Sequence, residues 1–204
     1  MGFYDDRVLP RLIDVVLGRP VEGVRARVAA NLSGEVLEIG FGSGRNVPHL
    51  PPAVDRLMAV EPAAVGRGLA AKRIAEAAVP VDFVGDDGQR LALPDESVDN
   101  VLVTWTLCTI PDVARALAEV RRVLRPGGSL HFVEHGRSPN PRVARRQDRL
   151  DPYWGKIAGG CHLNRPIAEL VERSGLTLAT VTTYRLGWPE LTTFAYEGVA
   201  SKRA

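Results

Sequence analysis

The sequence predicts a doubly wound α/β domain, a mostly parallel sheet with helices on both faces. Three observations carry that expectation. The apolar run Val36-Leu37 leads directly into Glu38-Ile39-Gly40-Phe41-Gly42-Ser43-Gly44, a strand entering a glycine-dense turn. From there to Val133 short apolar runs alternate with helical stretches, the order that builds a parallel sheet. Glu61 ends the next apolar run, Leu57-Met58-Ala59-Val60, about 20 residues past the turn. A nucleotide-binding βαβ unit places its ribose-gripping carboxylate at that distance.

The elements follow in order. Val8, Leu12, Val15 and Val16 fall near helical spacing, and Gly18 and Pro20 break that pattern. Val21, Val24 and Val28 mark a second helix ending before Ser33-Gly34. The first strand is 36–39, with a helix starting around Gly44. The second strand is 57–60, followed by an alanine-rich helix over 62–78 with Pro62 in its first turn. A third strand at 81–84 and a fourth at 99–104 come next. Val113, Leu117, Val120 and Leu124 form one stripe of a helix over 111–124. Arg125-Pro126-Gly127-Gly128 ends it, and a fifth strand runs over 129–133. The stretch 134–163 is too long for an ordinary connection and should hold a helix of its own. A helix over 166–174 and strands at 181–184 and 193–199 complete the chain, with Asn164 suited to cap that helix.

Bulk properties narrow the function classes. The 204 residues suffice for one domain with a full core, and 45% hydrophobic content is globular. A formal charge of +2 gives no reason for an obligatory nucleic-acid partner. Two cysteines, Cys108 and Cys161, make no disulfide framework and suit a reducing, cytoplasmic setting. No apolar run approaches the roughly 20 residues of a membrane span, and the N-terminus lacks a signal-peptide pattern. No C-x-x-C or H-x₃-H spacing suggests a metal. Arg137, Arg142, Arg145, Arg146 and Arg149 read as a solvated helix face or as a contact for an anionic lipid or acidic substrate.

The glycine spacing separates cofactor classes. A dinucleotide fingerprint reads G-x-G-x-x-G, and Arg45 stands where its third glycine belongs. The pattern here, E-x-G-x-G-x-G, resembles motif I of the class I S-adenosylmethionine-dependent methyltransferases. Leu91-Ala92-Leu93-Pro94-Asp95-Glu96-Ser97-Val98-Asp99 and Arg122-Val123-Leu124-Arg125-Pro126-Gly127-Gly128 are similar to that family's segments before strands four and five. The resemblance implies a Rossmann-like, seven-stranded, mostly parallel sheet with its last strand antiparallel. It implies one domain over residues 1–204, with a helical lid at 1–31 and a substrate-side insertion at 135–165.

It also implies a cofactor, S-adenosylmethionine, and a set of residues to hold it. Glu38, Gly40, Phe41, Gly42, Ser43, Gly44 and Asn46 would take the methionine end, and Glu61 with Pro62 the ribose. Asp87 and Gly88 would take the adenine, with Asp86 as second choice, although Asp87 can equally form a solvated Asx turn. Thr104, Trp105 and Thr106 would lie beside the reacting methyl, with Trp105 either an apolar wall or plain core.

The segment from Tyr153 to Arg165, together with Thr106-Leu107-Cys108 and Glu134-His135-Gly136-Arg137-Ser138, resembles small bacterial relatives of the alkyl-thiol methyltransferases of animals, whose G-C-x-L-N/T-R segment corresponds to Gly160–Arg165. With it come candidate substrate contacts at Tyr4, Trp105, Cys108, Tyr153, Trp154, Cys161 and His162. His135, at the end of strand five, is the candidate general base, or else a hydrogen-bonded structural group. The expected activity is methyl transfer to a small apolar molecule, possibly a thiol. Alternatives are a phospholipid amine or quinone-type carbon acceptor, an NAD-dependent oxidoreductase, and a non-catalytic cofactor-binding module.

Overall fold

The structure is a computed structural model that describes residues 18–203. Tyr4, Asp5 and the first predicted helix lie outside the described residues. A short 3-10 turn, Arg19–Val21, leads into α1 (Glu22–Ala29). Then come β1 (Gly34–Ile39), β2 (Val54–Val60), α2 (Ala64–Ala75), β3 (Val81–Gly85), β4 (Val98–Thr104), α3 (Val113–Val123) and β5 (Leu124–His135). The chain ends through α4 (Pro141–Ile157), α5 (Ile167–Arg173), β6 (Thr177–Arg185), α6 (Glu190–Thr193) and β7 (Phe194–Ser201).

The seven strands form one sheet in the order β3-β2-β1-β4-β5-β7-β6. All neighbours are parallel except β7, which runs antiparallel to β5 and β6. The two-residue period of a strand sorts the apolar side chains into two cores. Leu37, Ile39, Met58, Val60, Val101 and Val103 pack with α3 and α5 on one face. Val36, Leu57, Ala59, Leu102 and Val133 pack with α1 on the other. Strands buried on both faces read as continuous apolar runs, which is why they stand out in the sequence. The chain reverses direction across the sheet between β1 and β4, so a crevice opens at their carboxyl ends.

Three local expectations are corrected. No α-helix begins at Gly44; the chain makes turns and one 3-10 turn, Val47–His49, because Pro48, Pro51 and Pro52 remove the amides a helix would need. Arg125–Gly128 does not separate helix from strand. β5 begins at Leu124, opposite Val98, and the next pair is Ser129 with Asn100, so the four residues loop out with Gly127 at φ +80°. Asn164 does not cap α5. Pro166 holds that position, and Asn164 Nδ2 donates to Asp148 Oδ1 at 3.0 Å. The predicted helix within 134–163 is α4, with Arg142, Arg145, Arg146 and Arg149 exposed along it. Arg137 stands apart from that row, paired with Asp148. No helix among the described residues is long and apolar enough to cross a membrane.

Candidate active site

A cleft of about 670 Å³ occupies the carboxyl ends of β1, β2 and β4. One wall is the glycine turn. Gly40, Gly42 and Gly44 have φ of +77°, +57° and +74°, a left-handed course that L side chains resist. The three differ in their surroundings. A Cβ on Gly40 would lie 2.0 Å from Thr106 Oγ1, and one on Gly44 would lie 3.1 Å from Phe41. A Cβ on Gly42 would meet nothing nearer than 4.0 Å, and Gly42 lines the cleft. Gly42 thus leaves open space into which a ligand can approach the backbone. Phe41 anchors the turn by packing edge-on against Phe83 at 5.5 Å.

Glu61 closes this wall. Its carboxylate accepts from Gly42 N at 2.6 Å and from Ala63 N at 2.8 Å, and it is 7% exposed. Two backbone amides therefore fix both oxygens at the cleft edge, the turn and the acid forming one unit. Pro62 follows on the lining. Across the cleft lie Asp86, Asp87 and Gly88. Asp87 Oδ1 accepts from the backbone N and from Nε2 of Gln89 at 2.8 and 2.9 Å, which holds its carboxyl below the usual range. That is an Asx turn, and its acid still faces the cleft.

The floor is the segment after β4. Thr104, Trp105 and Thr106 line it, and Trp105 sits at φ +52°, a strained course for an aromatic residue. Glu134, fully buried, holds this loop in place. Its carboxylate accepts from Thr106 N at 2.7 Å, Leu107 N at 2.9 Å and Cys108 N at 3.1 Å. Burial still pushes its pKa up to about 7, against the pull of those three amides.

Not every candidate residue reaches the cleft. Glu38 and Asn46 lie beneath the glycine turn. Asn46 Nδ2 donates to Glu38 Oε1 at 2.7 Å and to Thr104 Oγ1 at 3.1 Å. Burial raises the Glu38 pKa to about 8. Gly44 packs on Phe41 rather than facing a ligand. His135 and Cys161 lie together behind the floor, 3.6 Å apart from Nδ1 to Sγ. Trp154 and Cys108 also stand outside the lining, and His162 Nδ1 meets Asp151 Oδ2 at 2.8 Å. Tyr153 projects outward, 69% exposed, because it falls on the solvent side of α4.

Other residues of the cleft escaped sequence reading. Arg25 of α1 is buried, lines the cleft, donates to Asn46 Oδ1 at 2.9 Å and Thr104 Oγ1 at 3.1 Å, and stacks over Trp105 at 4.7 Å. An arginine beside Val24 and Val28 on a buried stripe was the available signal. Thr109, Ile110, Pro111, Gly159 and Gly160 line the far end. Only the fold brings those two stretches together, the second from the turn after α4. Nothing local marked the first stretch, and the second lies inside the segment before Arg165 without its glycines having been named as cleft residues.

Comparison with known proteins agrees with this geometry. Residues 37–132 match a family model described as a methyltransferase domain. The rat thiol S-methyltransferase TMT1B is 33% identical over 145 residues, covering 68% of this chain and 58% of that protein. The chain thus spans less than two thirds of that relative's length. A phosphatidylethanolamine N-methyltransferase of Cereibacter sphaeroides is 29% identical over 146 residues, covering 65% of this chain and 68% of the relative. The crystal structure of an S-adenosylmethionine-dependent methyltransferase from Mesorhizobium loti superposes with a TM-score of 0.68 over 91% of this chain and 99% of that one, at 17% identity, a likeness of fold. With the strand order, the glycine turn locked to Glu61 and these matches in agreement, the chain belongs to the class I S-adenosylmethionine-dependent methyltransferases.

Proposed function

We propose that this chain transfers the methyl group of S-adenosylmethionine to a small apolar acceptor, with a thiol as the first candidate. The observation that carries the proposal is the glycine turn bound to the Glu61 carboxylate at one edge of the cleft, with Trp105 on its floor. The residues fit the cofactor. Gly42 leaves the backbone open to the methionine end, Glu61 offers acceptors to ribose hydroxyls, and Asp87 or Asp86 offers one to the adenine amine. When bound, the cofactor supplies a methyl group already activated by a sulfonium leaving group. The protein then needs to align the acceptor and exclude water, with little acid or base chemistry. Trp105, Ile110 and Pro111 give that end an apolar wall, and Gly159 and Gly160 leave it roomy. His135 plays no part as a base in this reading, because it turns to Cys161 behind the floor.

The thiol comes from the rat relative, at 33% identity, and from the Gly160–Arg165 segment. A phospholipid amine is the second reading, supported by the Cereibacter relative. Calorimetry against S-adenosylmethionine, S-adenosylhomocysteine and NAD⁺ tests the cofactor. Micromolar binding of the two adenosyl compounds without NAD⁺ is expected, and binding of NAD⁺ alone overturns the proposal. Turnover is then read as S-adenosylhomocysteine formed with a short alkyl thiol or with phosphatidylethanolamine vesicles. Product with the thiol alone supports the first reading, and product with the vesicles alone replaces it by the second.

A further inference from the structure

Two thiols meet behind the acceptor end of the cleft, and the proposed methyl transfer uses neither. Cys108 lies in the loop after β4, between the cleft residues Thr106 and Thr109. Cys161 follows the cleft residues Gly159 and Gly160. Their backbones are tied, His162 N donating to Cys108 O at 2.8 Å. That bond joins residue 108 to the immediate neighbour of residue 161, so the two cysteines sit on adjoining stretches of main chain. The two thiols are near enough to interact electrostatically. Cys108 is 3% exposed and held from behind by Glu134, while Cys161 is partly exposed.

The surroundings make the pair unequal. The neighbouring Cys108 thiol and the His135 ring, whose Nδ1 lies 3.6 Å from the Cys161 sulfur, hold the Cys161 pKa below the usual thiol range. The same contact and full burial push the Cys108 thiol up. A partly exposed thiolate beside a buried, protonated thiol is the arrangement of an attacking and a resolving cysteine.

We infer that Cys161 is a redox-reactive nucleophile that closes a reversible disulfide with Cys108 when it meets a small-molecule disulfide. The Cys161 thiolate attacks one sulfur of that disulfide, whose S–S bond breaks. One thiolate leaves and takes a proton from water, and a mixed disulfide remains on Cys161. Cys108 then gives up its proton to water and attacks the Cys161 sulfur; the mixed S–S bond breaks, and the second small thiolate leaves and takes up a proton from water. Two protein thiols are oxidised, and one small disulfide is reduced to two thiols. The product would strap the Gly159–Gly160 turn to the loop after β4. Its formation is independent of which acceptor the cleft takes, and of whether the chain transfers methyl groups at all.

The test uses the full chain, reduced, exposed to oxidised glutathione, then blocked with N-ethylmaleimide and weighed intact. The chain has two cysteines, so the answer is unambiguous. The expected mass is that of the monomer less two hydrogens with no alkyl label, and dithiothreitol should restore two labels. Two labels after oxidation, or a disulfide-linked dimer, overturn the inference. Cys108→Ser should stop at a glutathione adduct on Cys161, whereas Cys161→Ser should take up none. An adduct on Cys161→Ser with none on Cys108→Ser overturns the assigned order. The wild-type measurement decides the pairing even where a variant fails to fold.

Discussion

The two ends of the cleft are built by different means. The end proposed for the cofactor is made of main chain: a glycine turn, two amides on Glu61, and strand ends whose register is set by the sheet. The end proposed for the acceptor is made of side chains and loops that meet over long sequence distances. Glu134 gathers the amides of residues 106–108, Arg165 reaches back to the carbonyl of Leu107, and Arg25 covers Trp105 from α1. Backbone geometry tolerates few residue types, so it leaves a sharp pattern in sequence. Long-range side-chain assembly accepts many solutions, so it leaves a weak one. The same contrast predicts where substitutions should hurt most.

The largest effects belong to the glycine turn, and its members should fail differently. Gly40→Ala places a Cβ 2.0 Å from Thr106 Oγ1 in a left-handed residue, so it strikes protein. The conformation alone costs about 1–2 kcal/mol, and the clash adds to it. Both the melting temperature and cofactor binding should fall. The Cβ of Gly42→Val meets no protein atom nearer than 4.0 Å, so its cost to stability should lie mainly in that strain while binding is lost. Thermal melts with calorimetry on both variants check this. Equal losses of stability would break the distinction between a turn that fits the protein and one that fits a ligand.

Next in size is Glu61→Ala. Removing a charged acceptor of ligand hydroxyls should weaken binding of the adenosyl compounds by about 1.5–3 kcal/mol. Unchanged affinity by calorimetry would remove Glu61 from the cofactor end.

The third contrast is between two buried acids. Glu134 accepts three amides, so Glu134→Gln sets an NH₂ against a donor and should cost about 1–3 kcal/mol. Glu38 Oε2 has no partner among the described residues, so Glu38→Gln should be far milder at neutral pH. Both carboxyls titrate higher when folded, at about 7 for Glu134 and about 8 for Glu38, than the roughly 4.3 of an unfolded chain. The folded state therefore binds more protons between those values. Its stability from these groups is complete below the unfolded pKa and falls as pH rises through the folded one. Wild type should gain on Glu38→Gln by a few kcal/mol, to order of magnitude, as pH drops from about 8 to about 5. Urea midpoints across that range measure it, and a flat difference would show that Glu38 does not titrate there.

Legibility in the sequence followed the same division. The central strands β1, β2 and β4 were read from apolar runs, because burial on both faces leaves no other pattern, and the turn with Glu61 from its spacing. The helix expected at Gly44 did not form, since Pro48, Pro51 and Pro52 outweigh the fold-level expectation. His135 and Cys161 were named singly, but their contact was not readable, because α4 and the turn after it intervene. Arg25 carried no motif at all, and Gly159 lay unremarked inside the segment before Arg165.

The smallest expected effect separates Asp87 from Asp86. Both face the cleft, and Asp87 already has structural work. Its Oδ1 accepts two bonds from Gln89, whose own Oε1 accepts from Asp112 N at the start of α3. Replacement by alanine would mix loss of that turn with loss of a ligand contact. Asp87→Asn keeps an oxygen for Gln89 and removes only the charge and one acceptor. Folding should be unchanged, while binding of the adenosyl compounds should weaken by about 0.5–1.5 kcal/mol if this acid meets the adenine amine. Asp86→Asn should then bind as wild type. The reverse result would move the adenine contact one residue back along the loop and leave Asp87 as the hinge pin between the cleft edge and α3.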